Sequence, residues 1–353
     1  MKLLKLRHSG SSRATLTHYA VGALTLCALT ASAPTSASAN ASVFVNTGAA
    51  SCPYGICKSA STFGLLIGPS DALSIAGTTT VLNDIGLKSG ATLTTTNTVN
   101  VGNASNSDIV DFADTGFTNS AVPCTGAACT HPTGSSFSTG TKIWGGTQSN
   151  ASLVNTAYTQ FTDLVTYWNG RGGSLGAPTM SGTWDIGTSP GVHLYTATGN
   201  LTMSSDLTIG CGTGLTSACD PTDLIVIIVP SADTVSISRG INFATASKLT
   251  DDQLLFLVNS NSSTALTIGA NATRTVHGDF FAPNGAFTLG DSGGNSTTDF
   301  YGRIFANATT GVDTVNHAVT VEPEGEVPEP ATWAIMLGGL AGLLYLRHRK
   351  PAV

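Results

Sequence analysis

The segment Gly290-Asp291-Ser292-Gly293-Gly294 sets a serine between glycines in the form Gly-x-Ser-x-Gly. That is a setting for an acyl-transfer nucleophile. Such a serine needs a base within hydrogen-bond reach and a third group to orient the base. His131, His193, His277 and His317 are the bases available in the body of the chain. The hydrolase form of the motif also needs a strand that feeds a helix at the serine. Here Asn295-Ser296-Thr297-Thr298 continues as loop, so the segment reads as a glycine-rich turn and no catalytic residue is assigned. Asp108, Asp111 and Asp114 form one oxygen-rich run, and Asp291, Asn295 and Asp299 another. These are the oxygens Ca²⁺ takes, but neither run has the full loop spacing with its terminal Glu. Both are read as solvated turns. The Asn-x-Ser/Thr triplets at Asn103, Asn150, Asn271 and Asn307 follow from composition.

The two ends carry the most specific signals. Lys2, Lys5, Arg7 and Arg13 lead an apolar stretch from Tyr19 to Ala31, and Ala37-Ser38-Ala39 gives the small-x-small pattern a signal peptidase accepts. The expected division is a signal peptide over 1–39, with the mature chain beginning at Asn40. The apolar run is too short for a ~20-residue membrane span.

Export predicts oxidised cysteines. Cys27 falls in the leader. The other six form three local couples, Cys52/Cys57, Cys124/Cys129 and Cys211/Cys219. Short spacing favours nearest-neighbour disulfides that pin turns. Zinc is the rival reading, but no couple has the two-residue spacing of a zinc knuckle and no His neighbours one in sequence. No metal or other cofactor is expected.

At the other end, Val327-Pro328-Glu329-Pro330 precedes Trp333, an apolar run from Ile335 to Leu346 and the basic group Arg347-His348-Arg349-Lys350. The reading is an acidic, proline-rich linker over 322–330, then a short membrane helix and basic tail over 331–353. The cationic end should stay in the cytoplasm. These features resemble the PEP-CTERM sorting signal of exopolysaccharide-producing Gram-negative bacteria. Pro328, Glu329 and Pro330 match the recognition element, and Arg347, Arg349 and Lys350 match the basic end. The resemblance implies an exosortase that removes the tail, a transient stay in the inner membrane, and delivery to the cell surface or matrix.

The chain has 353 residues, of which 10% are charged and 41% apolar, with 40 glycines. From 40 to 326 there are eight Lys and Arg against twenty Asp and Glu, a net charge of −12. Nucleic-acid binding depends on neutralising phosphates, so an acidic body excludes it. The basic residues are spread singly, which also disfavours a polysaccharide-active β-helix enzyme. The apolar content suffices for a core.

The body over 40–321 consists of short β-prone runs split by Gly, Asn, Asp and Ser. Leu224–Val229 lacks alternation and should be buried on both sides. Gly278-Asp279-Phe280-Phe281-Ala282 recurs 24 residues later as Gly302-Arg303-Ile304-Phe305-Ala306. Leu266-Thr267-Ile268-Gly269 recurs after 21 as Phe287-Thr288-Leu289-Gly290, with Leu207-Thr208-Ile209-Gly210 a third copy. Such repeats suggest solenoid coils, each burying its apolar face on the next. One segment breaks the pattern. Leu153, Val154, Ala157, Phe161, Leu164, Val165 and Trp168 fall on one helical face. The prediction is an amphipathic helix over 152–169, capped by Asn150 or Ser152 and ended by Gly170.

The fold class expected is mainly β: a right-handed β-solenoid-like body with one flanking amphipathic helix, plus a C-terminal membrane helix. A β-sandwich is the alternative. The units Gly278–Ala286 and Gly302–Ala306, with the single mid-chain helix, resemble exported bacterial β-solenoids of the choice-of-anchor A and ice-binding adhesin kind. The functional expectation is a non-catalytic surface or matrix protein in contact with extracellular polysaccharide. Ice binding or adhesion is the alternative, and it requires Thr at constant rung positions. Thr94, Thr95 and Thr96 hint at this without a sustained pattern in the sequence.

Overall fold

Nearly every strand pairs in parallel with a strand from a different coil, and the pairing sorts them into three open sheets of ten, ten and seven strands. A β-sandwich, whose sheets are antiparallel, is thereby excluded. The computed structural model describes residues 41–45, 47, 57–105, 107–114, 123–129, 131, 134–173, 175–176, 179–269, 274–290, 297–316 and 319–321. All belong to one compact unit, Asn40–Gly325. The signal segment with Ala37, Ala39 and Asn40 lies outside the described residues, as do Cys27, Cys52, Asn271, Asp291, Ser292, Asn295 and His317. So do the sorting residues Pro328, Glu329, Pro330, Arg347, Arg349 and Lys350, with the expected membrane helix. No helix among the described residues is long and apolar enough to cross a membrane.

Seven coils contribute one strand to each sheet in turn. Phe63–Ile67 lies in the first sheet, Ala72–Ala76 in the second and Thr79–Val81 in the third. The coils do not stack in chain order. The first sheet runs Thr147–Ser149, Val110–Phe112, Asp84–Leu87, Phe63–Ile67, Ile304–Ala306, Asp279–Ala282, Leu254–Val258, Leu224–Val229, Val192–Thr196, Leu175–Gly176. The described chain therefore begins in the middle of the stack and winds to one end. It then crosses to the far end and winds back until its last coil pairs with its first. At that seam Leu65, Leu66 and Ile67 pair with Ile304, Phe305 and Ala306. Thr320 and Val321 pair with Thr80 and Val81.

The crossing is made by a helix. Short helix α1 spans Lys58–Ser61 and long helix α2 spans Ala151–Arg171. At ~1.5 Å per residue, α2 covers about 31 Å, and the stretch from Arg171 to Leu175 adds at most ~13 Å. Ten strands at ~4.8 Å extend about 43 Å, so helix and linker match the sheet they traverse. The side chain of Asn150 caps α2 by accepting from the Leu153 N–H at 3.4 Å. The helix outruns its expected end, because Gly170 keeps a helical φ and the left-handed turn falls on Gly172, at φ 60°.

The apolar residues split between an interior core and a layer under α2. Strands of the second and third sheets alternate, as in Leu266–Ile268 and Val319–Val321, so only one side is buried. Leu224–Val229 and Leu254–Val258 are buried at every position, because the first sheet faces the core on one side and α2 on the other. Four rings fill that outer layer. Phe281 stacks on Phe305 at 5.0 Å, and Phe161 of α2 meets both edge-on at 5.4 and 5.7 Å. Phe44 closes on the pair at 6.0 and 5.9 Å. The Trp168 indole N–H donates to the Val43 carbonyl at 3.1 Å.

The repeats find physical reasons here. Gly278-Asp279-Phe280-Phe281-Ala282 and Gly302-Arg303-Ile304-Phe305-Ala306 are neighbours in the first sheet. A Cβ on Gly302 would lie 2.0 Å from the Gly278 carbonyl oxygen, so the stacked corner requires glycine. The repeats at Leu266 and Phe287 are neighbours in the second sheet. The third copy, Leu207–Gly210, lies instead in the third sheet. An apolar-Thr-apolar strand ending in Gly suits either one-sided sheet, so the local pattern does not choose between them.

A carboxyl pair joins the seam. Asp71 accepts from the N–H groups of Ala72 and Ala308 at 2.7 and 2.6 Å. Asp313 accepts from the Phe287 N–H at 2.9 Å. Burial, and then the adjacent Asp71 carboxylate, push Asp313 up to about 9, so it carries a proton at neutral pH and hydrogen-bonds to Asp71.

Two predictions follow from this packing. A folded pKa raised from 3.8 to about 9 gives stability that is complete below pH 3.8 and drains away up to pH 9, because the folded chain holds the proton longer. Asp313→Asn keeps the hydrogen bonds without the titration. Its melting temperature should rise relative to the parent as pH increases from 5 to 9. A constant offset across that range would refute the shared proton. Phe161→Ala should cost ~3–5 kcal/mol in denaturant unfolding. A loss under 1 kcal/mol would mean that α2 is not held by the ring cluster.

Candidate functional site

The second sheet has the uniform face. Its inward residues, such as Leu73, Ile75, Leu93, Leu266, Ile268, Phe287 and Leu289, are fully buried. Strand alternation then forces the residues between them outward. Every outward position on its seven strands is Ala, Ser or Thr: Ala72, Ser74, Ala76, Thr92, Thr94, Thr96, Thr202, Ser236, Thr267, Thr288 and Thr314. None is charged and none is aromatic.

The central positions stand in register. Thr202 pairs with Ser236, Ser236 with Thr267, Thr267 with Thr288, and Thr288 with Thr314. Across the seam Thr314 pairs with Ser74, Ser74 with Thr94, and Thr94 bridges to Ser136. Eight successive rungs thus present one unbroken column of hydroxyls, about 34 Å long at the ~4.8 Å rung spacing. Thr94, Thr202 and Ser136 are exposed and the others half-buried. After the column come Gly269 and Gly290, and a Cβ on Gly269 would meet only ordinary contacts at 3.7 and 3.9 Å. Glycine leaves that flank open on these two rungs, while Thr96 and Asn316 stand there on others.

Sequence reading saw Thr94, Thr95 and Thr96 but not the column. Thr95 points inward and is buried, where its hydroxyl pairs with that of Thr141 at 2.5 Å. The column is assembled from strands far apart in sequence, and its order depends on the seam.

The other candidates fall as follows. Asp111 accepts from Gln148 Nε2 at 2.7 Å, and Asp114 from Ser89 Oγ at 2.6 Å. Burial and the nearby Asp84 push Asp108 up to about 6, and burial pushes Asp111 to about 6. Asp108, Asp111 and Asp114 do not converge as a ligand set. The Asn150 side chain caps α2, and the Asn307 amide donates to the Pro283 carbonyl at 3.2 Å. Cys124 is joined to Cys129 and Cys211 to Cys219. Cys57 is disulfide-bonded to a residue outside the described set. His193 and His277 each face a buried carboxylate, Asp223 at 3.3 Å and Asp251 at 2.7 Å. Neither imidazole is hydrogen-bonded to a Ser or Cys among the described residues.

The described body is thus a three-sided parallel β-solenoid with one face of hydroxyls in register. Residues 326–350 match the PEP-CTERM protein-sorting motif. That motif implies export, transient membrane anchoring by the carboxyl tail and processing by exosortase. No curated protein matches the chain significantly in sequence. Among solved structures, the chain is similar to an ice-binding protein from an Antarctic Flavobacteriaceae bacterium. Identity is 14% and the TM-score 0.47, over 84% of this chain and 52% of that one. It therefore spans about half the length of that protein. An ice-binding protein from an Antarctic biological consortium matches at 20% identity and TM-score 0.42, over 74% and 89% of the two chains. The DUF3494 domain of Shewanella frigidimarina ice-binding protein 1 matches at 13% and 0.38, over 81% and 100%. At these levels, function is read from this chain's own residues.

An inward/outward contrast tests the face. Thr267→Arg should leave stability within ~0.5 kcal/mol, while Ile268→Arg, which buries a charge in the core, should prevent folding. Equal effects of the two would mean that the alternation is misassigned.

Proposed function

We propose that this chain is an exported, non-catalytic surface protein that uses its second-sheet face to hold a regular, uncharged lattice, and that ice is that lattice. The carrying observation is the column Thr202, Ser236, Thr267, Thr288, Thr314, Ser74, Thr94 and Ser136. Threonine offers a hydroxyl and a methyl on a stiff stem, and the strands repeat it at a fixed interval. A lattice rewards such repetition because each added rung contributes a weak contact without a new ordering cost. Charges, which bind water in their own geometry, are absent from the outward strand positions.

Extracellular polysaccharide is the second reading, favoured by the sorting motif's association with exopolysaccharide producers. The face offers hydroxyls for it, but no aromatic ring on which a sugar could stack. A neutral polymer suits the net charge of −12 between 40 and 326 better than an anionic one.

Thermal hysteresis and partition into growing ice, measured on the purified chain, decide between the two. The expected result is activity that Thr267→Arg and Thr288→Arg abolish, and that Thr320→Arg on the third sheet leaves intact. Absence of both effects at high protein concentration overturns the ice reading. Co-sedimentation with a neutral polysaccharide, lost in the same two variants, would then establish the second.

A further inference from the structure

The repeated unit Gly278–Ala286 closes with Pro283-Asn284-Gly285-Ala286, and neither the hydroxyl column nor the seam uses that ending. An asparagine followed by glycine is chemically labile. Glycine has no Cβ to hinder its own backbone nitrogen from reaching the asparagine side chain. Two such pairs occur in the chain, Asn169-Gly170 and Asn284-Gly285, and the fold treats them differently.

Asn169-Gly170 lies within α2. A helix engages the N–H of each interior residue, and the Asn169 amide is held by two reciprocal bonds with the Asn259 amide, at 3.0 and 2.8 Å. Nucleophile and leaving group are both occupied. Asn284-Gly285 lies in the bend between strands Asp279–Ala282 and Phe287–Leu289, outside any helix or strand. Asn284 is exposed. The Gly285 N–H has no acceptor among the described residues. The Asn284 side chain makes one long bond there, from Nδ2 to the Asn259 carbonyl at 3.4 Å.

That bond is one step of a ladder. Asn307 Nδ2 donates to the Pro283 carbonyl at 3.2 Å, Asn284 Nδ2 to the Asn259 carbonyl, and Asn259 Nδ2 to Asn169 of α2. These amides tie three neighbouring rungs of the first-to-second corner to the end of the helix.

We propose that Asn284-Gly285 is a self-modifying site, at which the folded chain converts an amide of this ladder into a carboxylate. The Gly285 nitrogen attacks the Asn284 side-chain carbonyl carbon. A new C–N bond closes a five-membered imide, the bond to the side-chain nitrogen breaks, and ammonia leaves with the proton that Gly285 gives up through water. One water then opens the imide at either carbonyl, leaving aspartate or isoaspartate at position 284. No oxidant or reductant takes part. The product cannot donate to the Asn259 carbonyl, so acceptor faces acceptor. Isoaspartate also lengthens the main chain where packing leaves no slack, since a Cβ on Gly285 would lie 2.5 Å from the Ser260 carbonyl oxygen and from Ala265 Cβ. The change loosens the corner that leads into Phe287–Leu289, the strand that carries Thr288.

The test incubates the purified full chain at neutral pH, then maps its peptides by mass and by fragmentation that distinguishes isoaspartate. The peptide holding Asn284 should gain the mass of an amide-to-acid exchange. It should do so at least about tenfold faster than the peptide holding Asn169, which reacts only when the helix opens locally. In denaturant the two should convert at similar rates. Asn284→Gln, whose longer side chain closes the ring far more slowly, should remain unmodified with circular dichroism unchanged. The converted chain, separated by its added charge, should melt below the fresh one. An unchanged Asn284 peptide, equal conversion of both peptides in the folded chain, or a melting temperature indifferent to conversion would each overturn the proposal. None of these readouts depends on what the second-sheet face binds.

Discussion

The structure depends on one contact: the pairing of the last coil, from Ile304, with the first, from Phe63. A solenoid wound in chain order would have its ends at opposite extremes. The described coils begin and end in the middle, so the two arms join where Leu65, Leu66 and Ile67 pair with Ile304, Phe305 and Ala306 and where the other two sheets continue across the same seam. The long crossing helix follows from that constraint, because the chain must travel from one extreme to the other outside the stack. The first sheet in turn must be apolar on both sides, since it carries the helix. The aromatic cluster sits where it does for the same reason. Phe281 and Phe305 come from the returning arm, Phe161 from the helix and Phe44 from the start of the body. One cluster binds three parts of the chain that are remote in sequence.

Corners pose a second demand. Where a strand bends into the next sheet, backbone N–H groups leave the ladder and need acceptors. The acidic residues meet it. Asp84 accepts from Ile109, Asp206 from Gly240, and Asp279 from Arg303. Asp185 accepts from Gly187 and Gly212. At the seam, Asp71 and Asp313 do the same. Burial makes several of these carboxyls reluctant to ionise, and Asp279 is pushed well above its usual range even beside Arg303. Six of the twenty acidic residues of the body thus serve corner geometry.

Much of this was legible in the sequence, and for local reasons. The helix was visible because Val154, Ala157, Phe161, Leu164 and Trp168 carry their own period. The two-sided burial of Leu224–Val229 was visible because alternation is missing, and the neighbouring repeats because Gly278 and Gly302 have the same turn to make. The order of the coils was not legible. Parallel pairing between residues some 240 positions apart leaves no periodic trace, and apolar-Thr-apolar strands look alike in the second and third sheets. Leu207–Gly210 shows the consequence: the same motif sits on a different face. The hydroxyl column and the place of His193 beside Asp223 were hidden for the same reason.

The low charge of the chain then has a structural meaning. A face made flat by rungs in register cannot carry Lys or Glu, whose length would break the plane and whose hydration would impose its own order on the water above. Confining carboxylates to the corners leaves Ser, Thr and Ala for the open strands of the second sheet. The third sheet makes the contrast. Its outward positions include His277, Asp299, Tyr301 and Lys142, with His277 stacked on Tyr301 at 5.0 Å and Lys142 lying over Trp144 at 3.7 Å. Both sheets meet the same interior requirement, so packing does not explain why one outer surface is mixed and the other is uniform over eight rungs. A selective pressure on the outer surface itself does, and a partner that is flat, repetitive and uncharged is the kind that would exert it.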